Sequence, residues 1–157
     1  MLVWHAQEHP TSCVAACVRV VLTGFKESWT EARVRQLLGR PRLGITLAAA
    51  QERLAQAGAK ALLETDWNFD DIRDALAQGR YAIVGVERQL LGYEPGSQAV
   101  VIVSITSKRI SVLDPLDDPH AMQYGLRSFE LAWRLSGKEA LVIEAPPQLS
   151  RLRIAGH

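Results

Sequence analysis

With 157 residues, the chain has the size of one domain able to bury an ordinary core. Hydrophobic residues make up 48% and charged residues 22%, a balance that excludes a disordered or fibrous chain. The 18 basic and 17 acidic side chains leave a net charge of +1, too weak a field to gather nucleic acid or anionic lipid, so neither is an expected partner.

The N-terminus has no basic lead into an apolar segment, so no secretory signal is expected. Pro10-Thr11-Ser12 reads as a helix start, with Ser12 as N-cap and Cys13 in the first turn. This helix is predicted from Cys13 to Thr23, ended by Gly24, and its small apolar residues mark it as central and buried. Its apolar run, Val14 to Leu22, is broken by Arg19 and falls short of the roughly 18 residues of a spanning helix, so no membrane insertion is expected. Cys13 and Cys17 stand four apart, a helical spacing that suits a disulfide poorly and points to a reducing, cytoplasmic location. A capping box at Ser28-Trp29-Thr30-Glu31 opens a second helix through Ala32, Val34, Leu37 and Leu38 to Gly39. Arg33 and Arg35 on it read as a solvated face. Pro41 and Gly44 mark a loop. A third helix is predicted from Thr46 to Ala57, closed by Gly58.

Lys60 to Glu64 is a strand candidate. Asn68 then caps an acidic-first helix through Asp70 and Ala77, ended by Gly79. The rest reads mainly as β. Strands are predicted at Tyr81 to Val86, Ala99 to Ile105, Arg109 to Leu113 and Ala140 to Glu144, with a turn at Gly92 to Ser97 and Lys108 in a tight turn. An Asp- and Pro-rich loop and a short helix, Ser128 to Leu135, precede the last strand. Pro146-Pro147 closes a domain expected to span 1–147, with a frayed tail over 148–157. Helices first and consecutive strands later make an α+β fold.

Three features carry chemistry. Cys13 opens a helix, where unpaired N–H groups favour thiolate. Gln7, six positions earlier, offers an amide that can donate to an oxyanion. Asp114 ends a β-hairpin, suited to orienting an imidazole. The segment QEHPTSCVAACVRVVL, Gln7 to Leu22, resembles the opening motif of the double-glycine leader peptidases, papain-like cysteine peptidases that process bacteriocin precursors and also occur as free-standing domains. The resemblance continues in Gly96-Ser97-Gln98-Ala99-Val100-Val101, in Val112-Leu113-Asp114-Pro115 and in Phe129-Glu130-Leu131-Ala132-Trp133, in the family's order.

The resemblance implies a papain-like fold, a helical half on an antiparallel sheet. It also implies Cys13 as nucleophile, Gln7 as oxyanion-hole donor and Asp114 as the orienting carboxylate. The family's histidine would open the strand sixteen positions before Asp114, and that position holds Gln98. Val14 is a milder departure, where many relatives have glycine. A glutamine fills space and can bond Asp114, but it cannot take a proton from Cys13 or return one to a leaving amine. The expectation is a degenerate peptidase, without cofactor, that binds a peptide or protein in its groove with little or no cleavage.

Two alternatives remain open at this stage. One is an active peptidase whose base is another residue, with His5, His9 and His120 as candidates. The other is a structural zinc module built from His5, His9, Cys13 and Cys17, which fall at intervals of four, although Pro10 breaks any continuous helix through them. Cys17 reads as a small buried core residue. Trp4, Trp29, Trp67 and Trp133 read as core or groove-lining.

Overall fold

A computed structural model describes residues 1–39, 44–116 and 119–148. Pro41, part of the Asp-Pro loop and the tail from 149 onward lie outside the described residues. In chain order the elements are α1 (Cys13–Gly24), α2 (Glu31–Leu37), α3 (Leu47–Gln56), β1 (Lys60–Glu64), α4 (Phe69–Ala77), β2 (Tyr81–Glu87), a 3-10 turn (Arg88–Leu91), β3 (Ser97–Ile105), β4 (Arg109–Leu113), β5 (Met122–Gly125), α5 (Leu126–Leu135) and β6 (Ala140–Ala145). The strands form one six-stranded sheet in the order β1-β6-β2-β3-β4-β5, every neighbouring pair antiparallel. Helices and antiparallel sheet make the α+β architecture expected of a papain-like chain.

Alternation along the central strands sorts the core into two clusters. Ile83, Ala99, Val101, Leu141 and Ile143 face α1, α2 and α3. Their neighbours Ala82, Val84, Val100, Ile102, Ala140 and Val142 face α4 and α5. Because both faces are covered, the strands read as continuous apolar runs such as Val100 to Val103 rather than as alternation. The helices are therefore not confined to one half: α1 packs on one face of the sheet while α4 and α5 cover the other. β1, from the first half of the chain, joins the sheet beside β6.

Local chemistry departs from the sequence reading at three places. β5 lies in the stretch read only as loop; Met122 to Gly125 pair with Val112 to Arg109, adding an edge strand. Thr30, not Ser28, caps α2, its side chain accepting from the Arg33 N–H. The end of α1 is the third. Phe25 caps it and Lys26, at φ 63°, takes the left-handed turn expected of Gly24. Gly24 is small for another reason: a Cβ there would lie 2.5 Å from the Tyr81 ring, whose hydroxyl donates to the Gly24 carbonyl at 3.3 Å. Gly24→Ala is expected to cost about 1–3 kcal/mol, the usual range for overpacking. Chemical denaturation measures it, and an unchanged midpoint would mean that the Tyr81 ring is free to move aside.

Candidate active site

β3 and β4 are adjacent and antiparallel, so the residues that open β3 and follow β4 meet at one end of the sheet. Gln98 and Asp114 are brought together there, both nearly buried. The N-terminal segment is strapped across the same end. The Trp4 indole N–H donates to the Asp114 carbonyl at 2.8 Å, and the Gln7 backbone N–H donates to the Pro115 carbonyl at 2.9 Å. This fastening delivers Gln7 and the start of α1 to the site. The Cys13 sulfur is held against β3, accepting from the Ala99 N–H at 3.5 Å.

Three side chains then form a relay. The Gln98 amide Nε2 donates to Asp114 Oδ1 at 2.9 Å and to Gln7 Oε1 at 2.8 Å. The Gln7 Nε2 donates to the carbonyls of His9 (2.9 Å) and Pro10 (3.3 Å). Both ends of this chain are pure acceptors, a carboxylate at one and backbone carbonyls at the other. The orientation of both amides follows: an NH₂ must face each end, so the Gln7 oxygen must meet the Gln98 nitrogen. Both protons of the Gln7 amide are thereby engaged away from the sulfur. The donor expected to serve an oxyanion is spent on its own loop.

Asp114 is further held by the Leu116 N–H on Oδ1 at 2.9 Å and by Arg88, whose Nε lies 3.7 Å from Oδ2. The Arg88 guanidinium also lies over the Tyr93 ring at 4.3 Å. Sequence reasoning missed Arg88, because nothing in its local pattern ties it to a carboxylate twenty-six positions away.

The thiol itself departs from expectation. Burial pushes the Cys13 pKa above its ordinary value, and the Asp114 carboxylate adds to the rise. N–H groups of Ala99, Val14 and Cys13 itself pull the other way without prevailing. The helix start thus helps thiolate, as expected, but desolvation is the larger effect. Cys17 is fully buried, with its pKa raised well above the ordinary value, and both cysteines are free thiols.

Ser12 holds the N-cap position of α1, its carbonyl accepting from the Ala16 N–H, but its side chain makes no cap bond; the hydroxyl accepts from the His9 N–H, and its single proton is within reach of two acceptors, the His9 carbonyl at 3.0 Å and Glu31 Oε1 at 3.1 Å. Glu31, read as half of a capping box, is wholly buried and braces this loop, accepting from Glu8 N–H (2.9 Å) and Ser12 (3.1 Å). Its charge is met by Arg35 at 3.2 Å, so Arg35 belongs to a buried ion pair rather than to a solvated face. Arg33 lies over the Trp29 ring. Trp29 and Trp133 are core residues, Trp4 and Trp67 are half-buried, and none of the four lines the cavity at Cys13.

Among the described residues, no histidine lines that cavity. His5 has its pKa lowered by burial and then by Arg19. The ligand atoms of His5, His9, Cys13 and Cys17 do not gather. The grouping present among the described residues is Glu8, His9 and Glu31, with ligand atoms within 4.8 Å, and Arg19 and Arg35 already lie beside its carboxylates.

No protein-family model and no curated protein sequence matches the chain. Solved structures do match. A C39-like peptidase from Bacillus anthracis superposes with a TM-score of 0.69 at 12% identity, covering 94% of this chain and 98% of that one. The peptidase domain of Streptococcus ComA, a bifunctional ABC transporter involved in a quorum-sensing pathway, gives 0.69 at 18% identity, covering 94% and 100%. A double-glycine-motif protease from an AMS/PCAT transporter, in complex with its leader peptide, gives 0.69 at 16% identity, covering 94% and 93%. At these identities the likeness is one of architecture: the chain has the papain-like fold of the C39-like and double-glycine leader peptidases.

Proposed function

We propose that this chain binds an extended peptide in the groove between the helical layer and the sheet and cleaves it little or not at all. The observation that supports the reading is Gln98, at the position where the resemblance implies a histidine, hydrogen-bonded to both Asp114 and Gln7. An amide there moves no proton, and general acid–base help is typically worth about 10²–10⁴-fold in rate. The raised Cys13 thiol and the engaged Gln7 amide support the same reading, since each removes a further element of acyl transfer. A fold neighbour holding a leader peptide makes the groove the natural peptide site. In this reading residues 1–147 form the binding unit, 148–157 are a tail, and a reducing, cytoplasmic setting keeps both thiols free.

The test is retention without turnover. A library of blocked peptides, incubated with the protein and followed by mass spectrometry, is expected to yield bound peptides of unchanged mass. Products that vanish in Cys13→Ala but persist in Cys17→Ala would replace this reading with that of a working thiol hydrolase.

A further inference from the structure

Beside the Cys13 sulfur lies a cavity of about 260 Å³, lined by Cys13, Leu47, Gly85, Ser97, Ser136 and Glu139 among others. Pockets for drug-sized ligands start at about 300 Å³, so this one has the size of a side chain. Its shape follows from the sheet. Ala99, whose N–H meets the sulfur, pairs with Gly85 on β2, and Val84 next to it pairs with Ala140 on β6. Glu139 directly precedes that strand, so it stands about two strand spacings, roughly 10 Å, from Ala99. The residue between them has no side chain. A Cβ on Gly85 would come within 2.9 Å of Ser136 Oγ, which is itself hydrogen-bonded to Ser97 Oγ at 3.0 Å. The glycine therefore keeps a trough open from Cys13 toward Glu139.

Glu139 is the charged residue among those lining the trough. No ion pair engages it among the described residues, and its neighbour Lys138 is directed elsewhere, with Nζ 5.6 Å from the Trp133 ring. A half-buried carboxylate at the end of a trough floored by glycine and serine is complementary to one chemistry, a flexible cation with donors at its tip. We infer that this trough selects peptides carrying a lysine or arginine side chain, with Glu139 as the specificity-determining residue. The inference rests on the peptide-binding reading and adds the class of peptide. An extended peptide advances about 3.3 Å per residue, so the basic residue falls within about three positions of the one facing Cys13.

The probe is a set of fluorescent, end-blocked hexapeptides of glycine, alanine and leucine in which lysine, glutamate or alanine is scanned through each position, read by polarisation. Lysine at one position is expected to tighten binding about tenfold over alanine, the scale of one hydrogen bond between charged groups. Glu139→Gln should abolish that difference, and Glu139→Lys should transfer the preference to the glutamate peptide. Gly85→Val, which fills the trough, should also erase the lysine preference. Equal binding of lysine and alanine peptides at every position, or a lysine preference that survives Glu139→Gln, overturns the inference and leaves the peptide-binding reading intact. If no peptide binds at all, both fall.

Discussion

Gln98→His is expected to move the pH at which Cys13 becomes reactive from above the ordinary thiol value to well below it. In the wild-type protein burial raises the thiol, so the neutral form persists through neutrality. Thiolate, and with it the rate of iodoacetamide alkylation, should climb about tenfold per pH unit and level off only beyond the ordinary value of about 8.5. An imidazole bonded to Asp114 would become cationic as the thiol ionises. Paired thiols of this kind titrate between about 3.5 and 7.5. The sign is fixed: a neighbouring cation stabilises thiolate and lowers the midpoint, so the variant should show a rate plateau across neutral pH where the wild type shows a slope. The substitution also deprives Gln7 Oε1 of its donor, freeing that amide to turn. Alkylation rates measured from about pH 5 to pH 10 decide the matter. A wild type already on its plateau at about pH 6 would mean that a paired thiolate exists without the histidine, and the silenced-site reading would be wrong.

Arg88 sets how large that shift is. Its guanidinium already faces the Asp114 carboxylate, and both groups are nearly buried. An incoming imidazolium would share one carboxylate with a resident cation, which opposes its protonation. Gln98→His combined with Arg88→Met should therefore lower the Cys13 midpoint further than Gln98→His alone. In this light Arg88 does more than hold a carboxylate in place. It supplies a positive charge beside Asp114, which explains how a buried carboxylate is tolerated next to a neutral amide.

Much of this architecture was legible in the sequence because it is written in local chemistry. Thr46, Gly58, Asn68 and Gly79 bound helices by capping and left-handed turns, and the structure has them in those roles. The ordered motif around Cys13, Gln98 and Asp114 pointed to residues that do converge at one end of the sheet. What was not legible depends on distant partners. Gly24 looked like a helix terminator, yet its size answers to Tyr81, fifty-seven residues later. β5 has only four residues, Met122-Gln123-Tyr124-Gly125, too few for its alternation to stand out, so it is the edge of β4 that makes it a strand. The thiol's raised pKa could not be read from a helix start, because the opposing effect is burial, which belongs to the whole fold. Nor does a sequence say which way two glutamine amides turn; that follows once acceptors are found at both ends of the relay.

Glu31 carries the other large expected effect. It is wholly buried, it accepts from Glu8 N–H and Ser12 Oγ, and it faces Arg35, which is itself largely shielded. Glu31→Ala removes one member of a buried ion pair: Arg35 loses the carboxylate at 3.2 Å, and the half-exposed Glu8 stands farther off, at 3.9 Å. Such a loss typically costs about 3–5 kcal/mol. At about 2–4 °C per kcal/mol for a chain of this size, the Tm should fall by roughly 10 °C in a thermal scan. A Tm within about 2 °C of the wild type would mean that the pair contributes no more than an exposed one. Removing both charges, as in Glu31→Leu with Arg35→Met, should recover part of the loss, because the charge imbalance is then gone while the Glu8 N–H remains unmet; the Ser12 hydroxyl still has the His9 carbonyl at 3.0 Å. The same variants test what the pair is for. Glu31 braces residues 8–12, and the carbonyls of His9 and Pro10 in that loop are what hold the Gln7 amide away from the sulfur. Loosening the loop should therefore reach Gln7 and the start of α1 before it reaches the sheet. Hydrogen exchange that rises first at residues 8–16 in Glu31→Ala, ahead of β2 and β3, would mark this pair as the support of the site; uniform loss of protection would assign it to the fold as a whole.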